Sequence, residues 1–252
     1  MQQGFYAEAQ TTKEPRGVPN RALTIGAHPD DAEFGAGGTL AAWASAGCQV
    51  TMLVVTDGSK GSWDSAATRD QLIRQRVSEQ QLAARHLGAN EPIMLGHVDG
   101  ELEYSMALRS ELCLWIRRIR PDVVLTHDPW QRYQLHPDHR TTGLAAVDGV
   151  VAARDHLFFP EQLGNGVEKH RPSWIYRWSA DEPDQGVDIA NTFDTKITAL
   201  LAHSSQGTTT MGGAQDGELE RQRFRDRLAR WAGRQGAAQD MALAESFKVL
   251  SP

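Results

Sequence analysis

Cysteine is scarce in this 252-residue chain, which has only Cys48 and Cys113. The two stand far apart and neither belongs to a CxxC pair, so a thiolate metal site is not indicated. Both lie among apolar residues and read as small core residues, a usage that fits a reducing, cytoplasmic setting. Long apolar runs are missing too. None approaches the ~20 residues that cross a bilayer, so no membrane span is expected. Positive charge is not in excess. The formal net charge is −6, which argues against a basic face for nucleic acid. The GxGxxG fingerprint does not occur, which disfavours a nucleotide-dependent oxidoreductase. Residues 1–20 have neither a basic n-region nor an apolar h-region, and read as a polar arm instead of a secretory leader.

What is present is the patterning of a soluble α/β protein. Hydrophobic residues make up 40% and charged residues 23% of the chain, and residues 21–252 suffice for one large domain. Apolar runs over Ala22–Ala27, Val50–Thr56, Pro92–Leu95 and Asp122–Thr126 read as buried strands. Helical spacing falls between them, over Gly37–Ala46, Thr68–Leu87 and Ser105–Arg120, with Gly88 and Pro121 as stops. A fourth helix is expected from Pro137 to about Arg154 and a later strand over Trp174–Trp178. Helices follow over Phe193–His203 and Gly217–Trp231, separated by a loop at Ser204–Gly213. Strand and helix in alternation predict a Rossmann-like three-layer αβα fold with a mostly parallel sheet. In such sheets ligands bind beyond the carboxyl ends of the strands. Polar clusters at His28–Asp31, Thr56–Gly58, His97–Gly100 and Thr126–Asp128 each follow a strand, so one rim should collect them.

Two of these clusters carry chemistry. In the first, His28-Pro29-Asp30-Asp31 is followed by Glu33 and the small stretch Gly35-Ala36-Gly37-Gly38. Imidazole and carboxylate three residues apart can converge on one ion, and that donor set suits Zn²⁺ or another divalent metal such as Fe²⁺. The plainer alternative is that the two aspartates cap the next helix. In the second, His136-Pro137-Asp138-His139-Arg140 opens a helix, with Pro137 placing His136 near its N-cap. That motif alone reads equally well as a helix start with surface histidines. Together the two clusters supply three ligands, His28, Asp31 and His139, and leave a fourth position for water. Asp30 is then free to act as a general base, His136 as an acid or oxyanion donor, and Asp138 to orient an imidazole.

The run Ala27–Thr39 and the motif His136–Arg140 resemble those of the metal-dependent de-N-acetylases related to the PIG-L enzyme, including mycothiol and bacillithiol deacetylases and LmbE-like proteins. Further segments are similar: Thr56–Ser62, Arg76–Glu79, Asp99–Leu102, Arg120–His127 and Lys196–Gln206. The resemblance implies the same Rossmann-like fold, a divalent metal, usually zinc, on His28, Asp31 and His139, a base at Asp30, and supporting roles for His136 and Asp138. It also implies that Arg76 and Asp99 hold the polar end of the substrate. Members often read HPDDE; here Ala32 intervenes before Glu33, which leaves the role of Glu33 open. Gln134 stands where some relatives place a tyrosine, and Tyr133 is its neighbour.

The expected reaction is hydrolysis of the acetamide of an N-acetylglucosamine-type sugar on a small conjugate. Rival readings are an amidase acting on a larger sugar-thiol conjugate, and a metal-dependent sugar-binding protein without turnover. A retained Asp30 argues against the last, because binding needs no base. The partner is then a small molecule, and homo-oligomer formation stays open. His127, Asp128 and His97 are candidates for the rim, and His203 for a packing role. Trp63 and Trp130 are candidates for stacking on a sugar ring or for simple packing.

Overall fold

The computed structural model describes residues 17–252; most of the arm read over residues 1–20 lies outside them. The apolar runs form β1 (Arg21–Gly26), β2 (Gln49–Thr56), β3 (Ile93–His97) and β4 (Val123–His127). The helices between and after them are α1 (Asp31–Ser45), α2 (Arg69–Leu87), α3 (Met106–Ile119) and α4 (Pro137–Ala153). Then come β5 (Trp174–Trp178), β6 (Gln185–Asp188), α5 (Phe193–Leu201), α6 (Glu218–Ala237) and β7 (Ala244–Leu250). Capping follows local chemistry. Thr68 and Gln71 form a reciprocal capping box on α2, and Gly88 ends that helix in the left-handed region at φ 73°.

The seven strands run in the order β3-β2-β1-β4-β5-β7-β6. The first five are parallel, while β7 is antiparallel to both β5 and β6. Successive strand residues face opposite layers, as the pleat requires. Ala22, Val50 and Met52 pack with α1, α2 and α5 on one face. Leu23, Ile25, Leu53 and Val124 pack with α3 and α4 on the other. A third apolar cluster joins α5 to α6. This is the expected three-layer αβα arrangement with a mostly parallel sheet.

Two features differ from the sequence reading. Helix α1 begins at Asp31, six residues before the expected Gly37, because the poor intrinsic propensity of Gly35, Gly37 and Gly38 is overridden by close packing. A Cβ at Gly35 would sit 2.5 Å from the Trp178 ring, and one at Gly38 would sit 2.6 Å from Ile189. Strands β6 and β7 were not expected. Their alternation is broken by Gly186, Asp188 and a buried Glu245, whose carboxylate pairs with Lys196 Nζ at 2.5 Å and accepts from the Gly38 and Thr39 amides.

Cys48 and Cys113 are free and buried, as read. Burial pushes both thiols up to about 11, so the native state disfavours the reactive thiolate. A disulfide reagent at pH 8 should therefore label the native protein on the timescale of unfolding and the denatured protein at once. Rapid labelling of both thiols in the native state would contradict this burial.

The strand order reverses at β1, which has β2 on one side and β4 on the other. A crevice is left beyond the carboxyl ends of β1 and β4, the ordinary ligand position in such sheets. His28 follows β1 and His127 ends β4.

Candidate active site

The turn between β1 and α1 is unusual. Asp30 adopts φ 99°, ψ −21°, a left-handed conformation that a non-glycine residue holds at a cost on the order of 1–3 kcal/mol. It occupies the N-cap position of α1, yet its side chain makes no capping hydrogen bond. The carboxylates of the motif are therefore not spent on capping, and they diverge. Asp31 faces three imidazoles. Asp30 turns the other way, with Oδ1 3.6 Å from Arg76 and Oδ2 accepting from Thr210 Oγ1 at 3.4 Å.

His28, Asp31 and His139 converge. His28 Nδ1 lies 3.2 Å from His139 Nε2 and 3.4 Å from Asp31 Oδ2, and Asp31 Oδ1 lies 3.3 Å from His139 Nε2. Ligands about 2.0–2.1 Å from a tetrahedral ion stand roughly 3.3–3.4 Å from one another, a spacing close to each of these pairs, with Asp31 offering one oxygen to each imidazole. Two other nearby donor groupings, Asp31 with His127 and His139, and His28 with Asp99 and Asp138, are closed by their hydrogen bonds. Trp178 Nε1–H donates to His127 Nδ1 at 3.1 Å, and His127 Nε2 lies 3.1 Å from Asp31 Oδ2 and 3.3 Å from the Ala27 amide. Asp138 accepts the Gly100 and Leu102 amides, and Asp99 accepts that of Lys60. A third grouping replaces Asp31 with His136, whose ring lies 4.5 Å from that of His28 and 4.9 Å from that of His139. The His136 Nδ1 is buried and has no hydrogen-bond partner.

The electrostatics call for a cation. Burial alone would lower the His28 imidazole, but Asp138, Asp31 and Asp99 raise it to about 12. With only protein groups present, a proton on His28 balances these carboxylates; a divalent ion would displace it. Burial would raise Asp31, yet His139 and His127 hold its carboxyl well below the ordinary range. Burial pushes Asp30 up to about 6, moderated by Arg76 and His203, and takes His127 down to about 4, leaving that ring neutral. His136 is lowered by burial and by the neighbouring His28 and His139. A neutral imidazole still offers one N–H. Asp99 falls to about 2, because its bonds to His28 and the Lys60 amide outweigh its burial.

The residues read from sequence gather on one crevice. His28, Asp30, Asp31, His136, His139, Arg76 and Asp99 all line a cavity of about 700 Å³. Asp138 is fully buried behind it, with Oδ2 3.2 Å from His28 Nε2. Asp99 Oδ1 is 3.1 Å from that same nitrogen, which gives Asp99 a grip on His28 as well as a place on the cavity wall. Arg76 donates to the carbonyls of Gly58 and Pro29, which ties α2 to the β1–α1 turn. His97 is not part of this crevice; its Nε2 contacts Glu111 at 2.8 Å. Tyr133 and Trp63 are exposed, and Trp130 rests over the Arg177 guanidinium. Gln134 lines the cavity, and Gln206 and Thr210 carry the 204–213 loop onto it.

Sequence reasoning named Arg76 on α2 but missed its companions Glu79 and Gln80. All three are buried on the same face as Leu72, Ala83 and Leu87. Glu79 accepts from the Ser204 and Ser205 hydroxyls and the Ser205 amide, which anchors the 204–213 loop. The available signal was polar residues at i, i+3 and i+4 on an otherwise apolar helical stripe. His203 is fully buried, with Nε2 3.3 Å from Glu33 Oε1.

The comparisons with known proteins agree with this geometry. Residues 23–150 match the PIG-L family, described as GlcNAc-PI de-N-acetylase. Diacetylchitobiose deacetylase of Thermococcus kodakarensis is 34% identical over 193 residues, 77% of this chain and 72% of the relative. The 1D-myo-inositol 2-acetamido-2-deoxy-alpha-D-glucopyranoside deacetylase of Mycobacteroides abscessus is 28% identical over 235 residues, 77% of this chain and 84% of the relative. Among solved structures, N,N'-diacetylchitobiose deacetylase from Pyrococcus horikoshii in complex with an inhibitor superposes with a TM-score of 0.84 at 29% identity. That match covers 92% of this chain and 84% of that one. With the family profile spanning half of its length and its paired His/Asp motifs meeting at one crevice, the chain belongs to the PIG-L family of de-N-acetylases.

Proposed function

We propose that this chain is a metal-dependent hydrolase that removes the acetyl group from an N-acetylglucosamine-type sugar carried on a small conjugate. The observation that carries the reading is the convergence of His28, Asp31 and His139, 3.2–3.4 Å apart in pairs, beside an Asp30 whose carboxylate points away from them. Family membership, with relatives named as deacetylases of N-acetylated sugars, supports the reaction class. The two-nitrogen, one-oxygen donor set suits zinc, and Fe²⁺ also accepts it. A bound divalent ion supplies Lewis acidity toward the amide carbonyl and the attacking water.

The chain's own residues do the rest. Asp30 takes the proton of the attacking water, and its carboxyl, pushed up to about 6 by burial, suits a base near neutral pH. His136 lines the cavity and donates a ring N–H to the developing oxyanion. The departing amine takes its proton within this pair of side chains. Asp138 and Asp99 fix the ring of His28 by accepting from Nε2, while His127 fixes the carboxylate of Asp31. Arg76 holds the turn and, with Asp99, forms the polar wall against which sugar hydroxyls can bind. A cavity of about 700 Å³ is far larger than an acetamide needs and falls in the range of sites that enclose whole ligands, which favours a glycoside or disaccharide over a bare acetyl group. Among the described residues no helix is long and apolar enough to cross a membrane. The two free, buried cysteines fit a cytoplasmic enzyme.

The test is amine release from a panel containing N,N'-diacetylchitobiose, an N-acetylglucosaminyl inositol and an acetyl-lysine peptide. At least one sugar should exceed the peptide by on the order of 10²-fold or more in kcat/KM, because polar groups built for hydroxyls stay unpaired against an aliphatic stem. Comparable efficiencies on peptide and sugars would contradict the sugar reading.

A further inference from the structure

We propose that Gln80 is a positioning residue for Asp30, holding the base in its left-handed conformation through the backbone without touching substrate. The inference rests on the reading of Asp30 as the base. The Asp30 amide donates to Gln80 Oε1 at 3.2 Å, and Gln80 Nε2 donates to Glu33 Oε1 at 2.6 Å. This orientation of the carboxamide is forced. A peptide N–H can only donate and a carboxylate can only accept, so the oxygen must face Asp30 and the nitrogen Glu33. Gln80, Glu33 and His203 are all fully buried, and His203 Nε2 lies 3.3 Å from the same Glu33 oxygen. The chain of contacts therefore runs from the end of α5, through α1 and α2, to the amide of a single strained residue.

Packing alone would not place a glutamine here. The buried stripe of α2 holds Leu72, Ala83 and Leu87, and a leucine would fill it without a desolvated amide. Both ends of the Gln80 side chain are used, and one of them meets the only catalytic-turn residue in the left-handed region. Asp31 is held by other groups: the His28 amide at 2.6 Å, His127 and His139. Loss of Gln80 should therefore free the Asp30 carboxylate and leave the ion-holding residues in place. A misplacement on the order of 1 Å costs up to about 10²-fold in rate.

The experiment is a double-mutant cycle on the metal-loaded enzyme with a sugar substrate, using Gln80→Met and Asp30→Asn. Gln80→Met should lower kcat by on the order of 10–10²-fold, with KM and metal content unchanged. In the Asp30→Asn background the same change should cost no more than about twofold, because the group that it positions is already gone. An equal cost in both backgrounds, a rise in KM with kcat intact, or loss of metal in step with activity would each overturn the proposal. Full activity of Asp30→Asn by itself would instead overturn the reading of Asp30 as base. If Gln80→Met fails to fold, Gln80→Asn enters the same cycle under the same criteria. It keeps the amide but is one methylene too short to reach both partners.

Discussion

Asp30→Asn should bind its divalent ion normally and turn over at least ~10²-fold more slowly, whereas Asp31→Ala should lose the ion. Adjacent side chains are expected to behave so differently because the backbone sends them in opposite directions. Asp31 opens α1 and its two oxygens are taken up by the His28 amide and by three imidazoles. Asp30 faces Arg76 and Thr210 on the cavity wall. Asparagine is the informative replacement, since it tolerates the left-handed backbone better than most residues and keeps the side chain's shape. What it loses is proton-accepting ability. Metal analysis and steady-state kinetics on the same samples check the division of labour; equal metal loss in the two variants would show that it is wrong.

His136→Ala should retain its metal and its KM, with kcat reduced on the order of 10²–10³-fold. The ring stands against both His28 and His139, close enough for His136 to be taken for a third imidazole ligand. Asp31 is better placed for that role, because its oxygens lie 3.3–3.4 Å from the two ligand nitrogens and its charge opposes that of the ion. An N–H opposite the ion strengthens its hydrogen bond as the carbonyl oxygen gains charge, so it lowers the barrier without tightening substrate binding. A variant that loses metal in proportion to activity would put His136 among the ligands.

How much of this could be read from sequence depended on how local the cause was. β1, β2 and β4 are near-continuous apolar runs because helices cover both faces, and such runs announce themselves. The start of α1 did not, since Gly35, Gly37 and Gly38 speak against helix until the Trp178 ring and Ile189 that they accommodate are in view. β7 hid behind a buried Glu245 whose partner Lys196 lies 49 residues away. The same holds at the site. His28, Asp30, Asp31, His136, Asp138 and His139 sit in two short motifs, and the parallel sheet was enough to bring them to one rim. The work of Gln80 on Asp30, and of His127 on Asp31, joins residues 50 and 96 positions apart and leaves no local pattern. Glu33 is a case in between. The motif draws attention to it but leaves its role open, and only the fold shows it buried against Gln80 and His203.

The most direct measurement is a metal titration of chelator-treated protein, with bound metal and deacetylation of the best sugar of the panel followed together. Activity should be negligible at zero occupancy, rise in proportion to bound zinc or Fe²⁺, and reach its plateau at about one ion per chain, because the proposed ligands His28, Asp31 and His139 make one site. The His28→Ala, His139→Ala double variant should show neither binding nor activity. Full turnover by the chelated, metal-free protein, or stoichiometric metal retained by that double variant, would contradict the assignment of His28, Asp31 and His139 as the metal site.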